Sequence, residues 1–561
     1  MAASETYPTR YILHASPLDR QGPNGPPEGS LQLSPHSDHS APQYPSSRSW
    51  NHTASPSIEP EESDVVFQPK IIQPKRELLG FLDQYDETTV DEHLEYLRDP
   101  YMRKYAPADG PNLSVSDRTE DVELQSVGKL YRGRSRECEE VQLLRKALYT
   151  KLRHPGRVGL DTIWALYQAV PEPRAAHMSS SVRHLLFATL STTERKDHKS
   201  MLRYFAVVAD VKNSGFTLTR KEWHGAMSFA SRYVATTTEV ETEAALRLWR
   251  DMEVNAGIKG NEVTFNILFD SASKAGKFNL AEMIYEEMTT RGFPFSRYHH
   301  VSLIHFFGLK QVASGVRAAY KEMIEAGEII DTVVLNCVIA GFIRCGEEDA
   351  ADRVYEKMKA SNANLKVVPH RDYTMQKSIT KVLMMFAKVG KKHPDMRSNF
   401  QQAALLSPDL RTYRILITHY GVRLGDLTKV SQFLDEMKLY KVPLHGSIFL
   451  ALFKSFAVYG GRGSDWSSSR LDSVWDAFLS ALDSGADGLT IGTWLAMAVL
   501  NAFSKHSSRD QLLDIYECLR SRWDLNTADS EFMLGFLNRL LQGDDLINRR
   551  KGGGTGRGLW S

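Results

Sequence analysis

Ala281-Glu282-Met283-Ile284-Tyr285-Glu286-Glu287-Met288 decides the fold of this 561-residue chain. Its members Ala281, Ile284, Tyr285 and Met288 are spaced i, i+3, i+4, i+7, which puts them on one face of a helix. The set returns 35 residues later as Val316, Ala319, Tyr320 and Met323, and again as Ala351, Val354, Tyr355 and Met358. An earlier helix repeats in step: Phe265, Leu268, Phe269 and Ala272, then His300, Leu303, Ile304 and Phe307, then Leu335, Val338, Ile339 and Phe342. Two amphipathic helices every 35 residues, three times running, specify an all-α chain of stacked hairpins, an α-solenoid.

A solenoid is one elongated body whose hairpins bury apolar surface only against their neighbours. Truncating a stacking residue such as Leu268 or Ile339 to Ala is expected to cost roughly 2–5 kcal/mol. Outward from the three clear units the period weakens. Pro408 to Thr412 with Asp435-Glu436-Met437 makes a further unit, one residue too long near Gly425. Ile379–Gly390, Ile448–Tyr459 and Trp494–Lys505 read as first helices of hairpins, Val474–Leu482 and Leu512–Leu519 as second helices. Upstream, Ala244–Met252 is a second helix, and helices are expected at 135–152, 159–169 and 180–190. Inserts near Thr236–Glu239, Ser361–Pro369 and Gly460–Ser469 break the strict phase.

Glu262-Val263-Thr264-Phe265-Asn266-Ile267-Leu268, Ser273-Lys274-Ala275-Gly276, Tyr285-Glu286-Glu287-Met288 and Gly292-Phe293-Pro294 together resemble a pentatricopeptide repeat. Thr332 to Asn336, Cys345-Gly346 and Tyr355-Glu356-Lys357-Met358 resemble another. The resemblance implies a right-handed superhelix of hairpins over 176–540, clearest at 262–296, 297–331, 332–360 and 410–445. A helical region at 75–175, holding degenerate repeats or an adaptor, precedes it.

What the family binds is also implied: single-stranded RNA along the first helices, roughly one base per repeat. An apolar residue near the helix start, a polar residue three positions later and the last residue of the repeat carry that role. Carried over, the first unit offers Val263, Asn266 and Ser296. The second offers Tyr298 with Asp331 closing, but Val301 stands where a polar residue belongs. The third offers Val333 and Asn336, its closing residue lost in the insert around His370. Arg411 and Arg414, with His445, suit phosphate or stacking contacts better than base reading. Asn in a first helical turn is also a common capping or solvated residue; two in phase, each three residues after a Val, favour a site.

Charge leaves RNA binding open. The formal net charge is +1, whereas phosphate contacts need clustered Lys and Arg. Residues 366–397 supply such a cluster, with Lys366, Arg371, Lys377, Lys381, Lys388, Lys391, Lys392 and Arg397 against Asp372 and Asp395. Lys377 and Lys381 flank Thr380 at the expected groove position, against the plainer reading of a solvated helix face.

Twelve of the 23 prolines fall at or before Pro74, so residues 1–74 read as disordered. Thr89 with Glu92 forms a capping-box pattern before His93–Leu97, and 541–561 read as a flexible tail. Cys138, Cys337, Cys345 and Cys518 form no CxxC and read as packing residues of a reducing compartment. No apolar run reaches the roughly 20 residues of a membrane span. The family resemblance implies a mitochondrial protein, or a plastid one in a plant. Glu5, Asp19, Glu28 and Asp38 dilute any import signal, nothing in the chain encourages plastid targeting, and the mitochondrial matrix is the expectation.

Catalysis finds no support. His93-Leu94-Glu95 lacks the Pro-Cys-x-x-Cys of zinc deaminases, and adjacent His299 and His300 point apart on a helix. The glycines after Lys551 lack the Lys-Ser/Thr of a phosphate loop. No enzyme, cofactor or metal is expected. Two readings remain: an RNA-binding factor acting on the stability, processing or translation of a mitochondrial transcript, and a protein-binding scaffold such as a complex assembly factor or mitoribosome-associated protein.

Overall fold

Side-chain caps set where the hairpins begin. Asn261, Asp331 and Asp409 each accept the backbone N–H three residues on, from Thr264 at 3.3 Å, Val334 at 3.2 Å and Thr412 at 3.0 Å. Each cap satisfies one amide that a helix start leaves unpaired. Glycines in the left-handed region stop several helices, among them Gly276 (φ 73°) and Gly346 (φ 78°). In the second unit Gln311 takes this conformation instead (φ 63°), which a side chain with a Cβ adopts less easily.

The computed structural model describes residues 75–98 and 138–543, apart from gaps at 86–87, 155, 194–195, 235–236, 362–372, 462, 487–488 and 524–526. The chain divides into two units, Met1–Gln68 and Pro69–Ser561, and every described residue belongs to the second. The expectations for residues 1–74 and for the glycine-rich end fall outside the described residues.

Among the described residues there are helices and no strands. Two short ones lead, α1 (Lys75–Leu79) and α2 (Val90–Arg98). Next come α3 (Glu139–Arg153), α4 (Leu160–Gln168), the turn α5 (Arg174–His177), α6 (Ser180–Leu190), α7 (His198–Asn213), α8 (Arg220–Arg232) and α9 (Glu239–Arg250). The three clear repeats are α10 (Glu262–Lys274) with α11 (Phe278–Thr290), α12 (Arg297–Lys310) with α13 (Ala313–Glu325), and α14 (Thr332–Cys345) with α15 (Glu348–Ala360). Then follow α16 (Tyr373–Lys392), α17 (Arg397–Gln402), α18 (Leu410–Ile417), α19 (Leu427–Leu439), α20 (Gly446–Tyr459), α21 (Ser468–Asp483), α22 (Thr493–His506), α23 (Arg509–Ser521) and α24 (Thr527–Leu541).

First helices pack on first helices, in the order α3, α6, α8, α10, α12, α14, α18, α20, α22, α24. The repeated apolar sets of both helices are buried throughout the three central units. Between α12 and α14 the backbones touch: a Cβ built on Gly308 would lie 2.8 Å from Gly341 Cα. The surplus residue near Gly425 is absorbed by a π-helical turn over Thr418–Leu424 that continues α18, a common way to house a one-residue insertion.

One expectation is corrected. Ile379–Gly390 does not take a place in the row of first helices, because α14 packs directly on α18. Thr332 seals that joint by donating its N–H (2.9 Å) and its hydroxyl (2.9 Å) to Leu405 O. α16 and α17 leave the stack and form a side hairpin. It has a small core of its own, Leu383, Ala387 and Ala404 against Ile329, with Phe386 and Phe400 stacked at 4.6 Å. A first helix needs apolar contacts with a helix on either side. Among the described residues, the apolar face of α16 meets α17 and the turn before α14.

The tyrosines of the founding period find three different partners. Tyr285 donates to Asp91 (2.8 Å) and Tyr320 to Leu78 O (3.1 Å), while Tyr355 donates to Glu436 of α19. α1 and α2 therefore lie across the second helices of the central units, burying Leu78, Leu79, Phe81, Leu82, Val90 and Leu94 there.

Candidate nucleic-acid interface

In helix after helix, the fifth residue of one first helix meets the third residue of the next. His184 Nδ1 lies 3.4 Å from Glu222 Oε1, and His224 Nε2 lies 2.9 Å from Thr264 Oγ1. His299 Nδ1 lies 3.1 Å from Asn266 Oδ1, and Thr412 donates to Asn336 Oδ1 at 2.7 Å. These contacts fix the register of neighbouring hairpins and decide which polar groups remain for a ligand.

Asn266 keeps one. His299 is fully buried and stacked on Phe295 at 4.0 Å, and burial with neighbouring His300 pushes its pKa down to about 3. It is neutral, so its Nδ1–H donates to the Asn266 carbonyl. The Asn266 amide N–H2 has no partner among the described residues, and Val263 beside it on the helix is 41% exposed. Ser296 closes this unit, half-buried at the start of α12.

Asn336 is placed differently. It is 5% exposed, and its amide nitrogen donates to Asp409 Oδ1 at 3.0 Å while its oxygen accepts from Thr412. Both halves of the amide are committed within the protein. Asp409 also settles the closing residue of the third unit: it precedes α18, so the insert around His370 does not hold it. Val333 is half-buried. In the second unit Tyr298 is 50% exposed, but Asp331 is buried against Arg297 and caps α14.

Cations gather further along. Arg411 and Arg414 are exposed on α18, Arg423 is exposed at its π-helical end, and Arg344 is half-buried at the end of α14. None of the four side chains has a carboxylate partner among the described residues. Burial and nearby Arg423 pull Arg344 below its usual range. Arg344 falls at the thirteenth position of its helix, as do Arg232 and Lys274. Arg423 stands one place later, in a helix lengthened by one residue. Positions 2, 5, 9 and 13 share one helical face, so this column extends the face carrying Val263 and Asn266. Reasoning from the sequence passed over it, although Lys274 and Arg344 stand two periods apart.

The description of the PPR repeat matches residues 263–293 and 333–362. The chain carries pentatricopeptide repeats. A chloroplastic pentatricopeptide repeat-containing protein of Arabidopsis thaliana is 25% identical over 122 residues, which cover 22% of this chain and 16% of that protein. A second such protein of the same plant is 24% identical over 214 residues, covering 36% and 22%. This chain thus matches only about a fifth of those relatives' lengths.

Among solved structures, maize PPR10 is 17% identical with a TM-score of 0.33, covering 85% of this chain and 63% of that one. PPR10 in complex with an 18-nt psaJ RNA element gives 15% identity and a TM-score of 0.36, covering 82% and 60%.

Two of the thirteenth-position cations in this repeat protein are held internally. Asp270 accepts from Arg232 (2.7 Å) and Lys274 (2.8 Å); although burial opposes it, their charges carry its pKa down to about 2. Lys377 and Lys381 are exposed and Thr380 bonds back to Gln376 O, all on α16 and so outside the row of first helices. The remainder of the basic stretch up to residue 372 lies outside the described residues. Burial pushes the thiols of Cys337 and Cys345 up to about 11, as suits packing residues. Among the described residues no group of His, Cys, Asp and Glu could hold a metal ion, and no helix is long and apolar enough to cross a membrane.

Proposed function

We propose that this pentatricopeptide repeat protein binds single-stranded RNA along its first helices and acts by occupying the strand, with no chemistry of its own. The observation that carries this reading is the set of four arginines without carboxylate partners among the described residues, Arg344, Arg411, Arg414 and Arg423, along the same row of first helices as the available amide of Asn266. Unpaired guanidiniums on successive helices suit the phosphates of an extended strand, because neutralising them releases counterions. Occupation would shield a transcript from nucleases or hold it open for processing or translation. The site of action in this reading is the mitochondrial matrix, following the organellar habit of the family.

Binding of labelled single-stranded RNA to the full chain, titrated over salt, tests the reading. Arg411→Ala with Arg414→Ala is expected to weaken binding about tenfold and flatten the salt dependence. An unmodified chain that binds no RNA at low salt sinks it. Fractionation of cells expressing the tagged chain tests the compartment.

One feature favours a second reading as a protein-binding scaffold. A cavity of about 400 Å³ opens between α7, α8 and α9, lined by Met201, Phe205, Tyr233, Val240 and Leu248. Further along the stack, α1 and α2 cover the corresponding second helices. Proteins that co-purify after nuclease treatment, and are lost in Phe205→Glu, would support it.

A further inference from the structure

Helix α16 holds five lysines and no acidic residue in 20 positions. Lys377, Lys381, Lys388 and Lys392 are exposed and fall within about 60° of one another around the axis, at 100° per residue. Beside this row runs an exposed apolar stripe, Met375 (48%), Val382 (42%) and Met385 (54%). The opposite face, with Leu383 and Ala387, is buried in the side hairpin.

The hairpin is firmly seated. Lys391 pairs with Glu328 at 3.1 Å, Arg397 donates to Ile324 O at 2.7 Å, and the Gln401 amide accepts from Ile330 N–H (2.9 Å) and donates to Ile330 O (2.7 Å). Arg397 and Gln401 thus fix α17 to the end of α13 and to the turn before α14, while Lys391 fixes the C-terminal end of α16 to that turn. The other end is about 20 Å away, counting 14 residues from Lys391 back to Lys377 at 1.5 Å each. There Lys377 comes close enough to Lys196, itself lying 5.2 Å over the Phe229 ring of α8, to oppose its charge. Burial is the larger cause, and with Arg232 and Lys377 it brings Lys196 down to about 8. Lys377, Lys196 and Arg232 thus gather where α16 approaches the end of α8.

We propose that α16 is a second contact for single-stranded RNA, its lysine row binding phosphates and its Met-Val stripe taking base faces, beside the cation column of the first helices. This rests on the RNA reading above. Two considerations favour a nucleic acid over an acidic peptide. Phosphates recur along a strand as the lysines recur along the helix. The convergence with Lys196 and Arg232 continues the positive column of the wall, where a strand would already lie.

The test uses the full chain, fluorescein-labelled single-stranded RNA and a salt titration. Lys377→Ala/Lys381→Ala/Lys388→Ala is expected to weaken binding roughly tenfold and to lower the salt slope by about 2, since each single-strand phosphate contact contributes roughly 0.7. If the triple variant matches the parent in both while Arg411→Ala/Arg414→Ala loses binding, the proposal fails and the RNA reading stands. A parent chain that binds no RNA overturns both. A triple variant that keeps RNA but no longer sediments with phosphatidylglycerol vesicles also overturns it, in favour of a lipid contact. Should the triple variant misfold by circular dichroism, photocrosslinking 4-thiouridine RNA to the parent decides: a crosslinked peptide within 375–388 is expected, and its absence overturns the proposal.

Discussion

Arg317 on α13 grips Asp83 from 234 residues earlier in the chain, with Nε to Oδ1 at 2.9 Å and Nη2 to Oδ2 at 2.8 Å. Glu347, at the start of α15, completes the embrace at 3.3 Å from Nη1, and the guanidinium is buried. One cation therefore ties the segment around α1 to two consecutive hairpins. Arg317→Ala takes from Asp83 its two-point partner, leaving it Arg353 at 3.1 Å, and removes the cation beside the half-buried Glu347, at a cost of about 1–3 kcal/mol. Urea denaturation of the full chain reads this, and limited proteolysis should cut first between α1 and α2.

The two in-phase asparagines should separate cleanly. Asn336→Ala removes a donor to Asp409 and an acceptor for the Thr412 hydroxyl in the joint between α14 and α18, leaving them the cap bonds they make with each other, so it should destabilise by about 1 kcal/mol. Its direct effect on RNA affinity should be small. Asn266→Ala removes an amide whose nitrogen is available and leaves only the His299 N–H unmatched. It should weaken RNA binding several-fold with a smaller loss of stability. Equal loss of affinity in both variants, at matched folded fraction, would contradict this division.

The solenoid was legible because its signal is periodic: thirty-five residues separate Tyr285 from Tyr320 and Tyr320 from Tyr355, and each buried set follows from helical spacing alone. The side hairpin was not, because α16 is as amphipathic as a first helix, and nothing local says whether an apolar face meets two neighbours or one. The Asp409 closure was hidden for the same reason, since the intervening chain interrupts the count. At the site, Asn266 and Asn336 look identical in sequence. Their fates differ through the partners in the next helix, His299 and Thr412 with Asp409, a relation between repeats that spacing within a repeat cannot carry. The docking of α1 and α2 depends on pairings such as Tyr320 with Leu78, which leave no trace in sequence.

Acid should loosen the centre of the stack. His299 and His300 are buried and neutral, held down to about 3 and about 4, against an unfolded value of about 6.5. Between pH 6.5 and 4 the unfolded chain therefore binds more protons, and stability falls as pH falls, by up to about 1.4 kcal/mol per pH unit for each. Glu322, pushed up to about 7 by burial and by Asp91 and Glu325, works in the opposite sense, binding a proton when folded that it has lost when unfolded above about pH 4.3. Urea midpoints at pH 7 and pH 5 should show the net loss. Glu322→Gln should steepen it by removing the opposing group, and a flat profile in that variant would contradict the assignment.

Asp270 sets stability against binding. Its carboxylate neutralises Arg232 and Lys274, the two cations of the thirteenth-position column that are already paired. Asp270→Asn removes the charge while keeping the shape, so both cations become available to phosphates. RNA affinity should rise several-fold, with a steeper salt dependence. Stability should fall, because the depressed carboxyl contributes free energy to the fold at neutral pH. That contribution is fully present above the unfolded pKa of about 3.9 and is lost as pH falls toward about 2. The parent should therefore lose stability over that window more steeply than the variant. Anisotropy titrations paired with denaturation at pH 7 and pH 3 measure both halves. A variant less stable at neutral pH yet no tighter on RNA would show that Arg232 and Lys274 lie off the path of the strand.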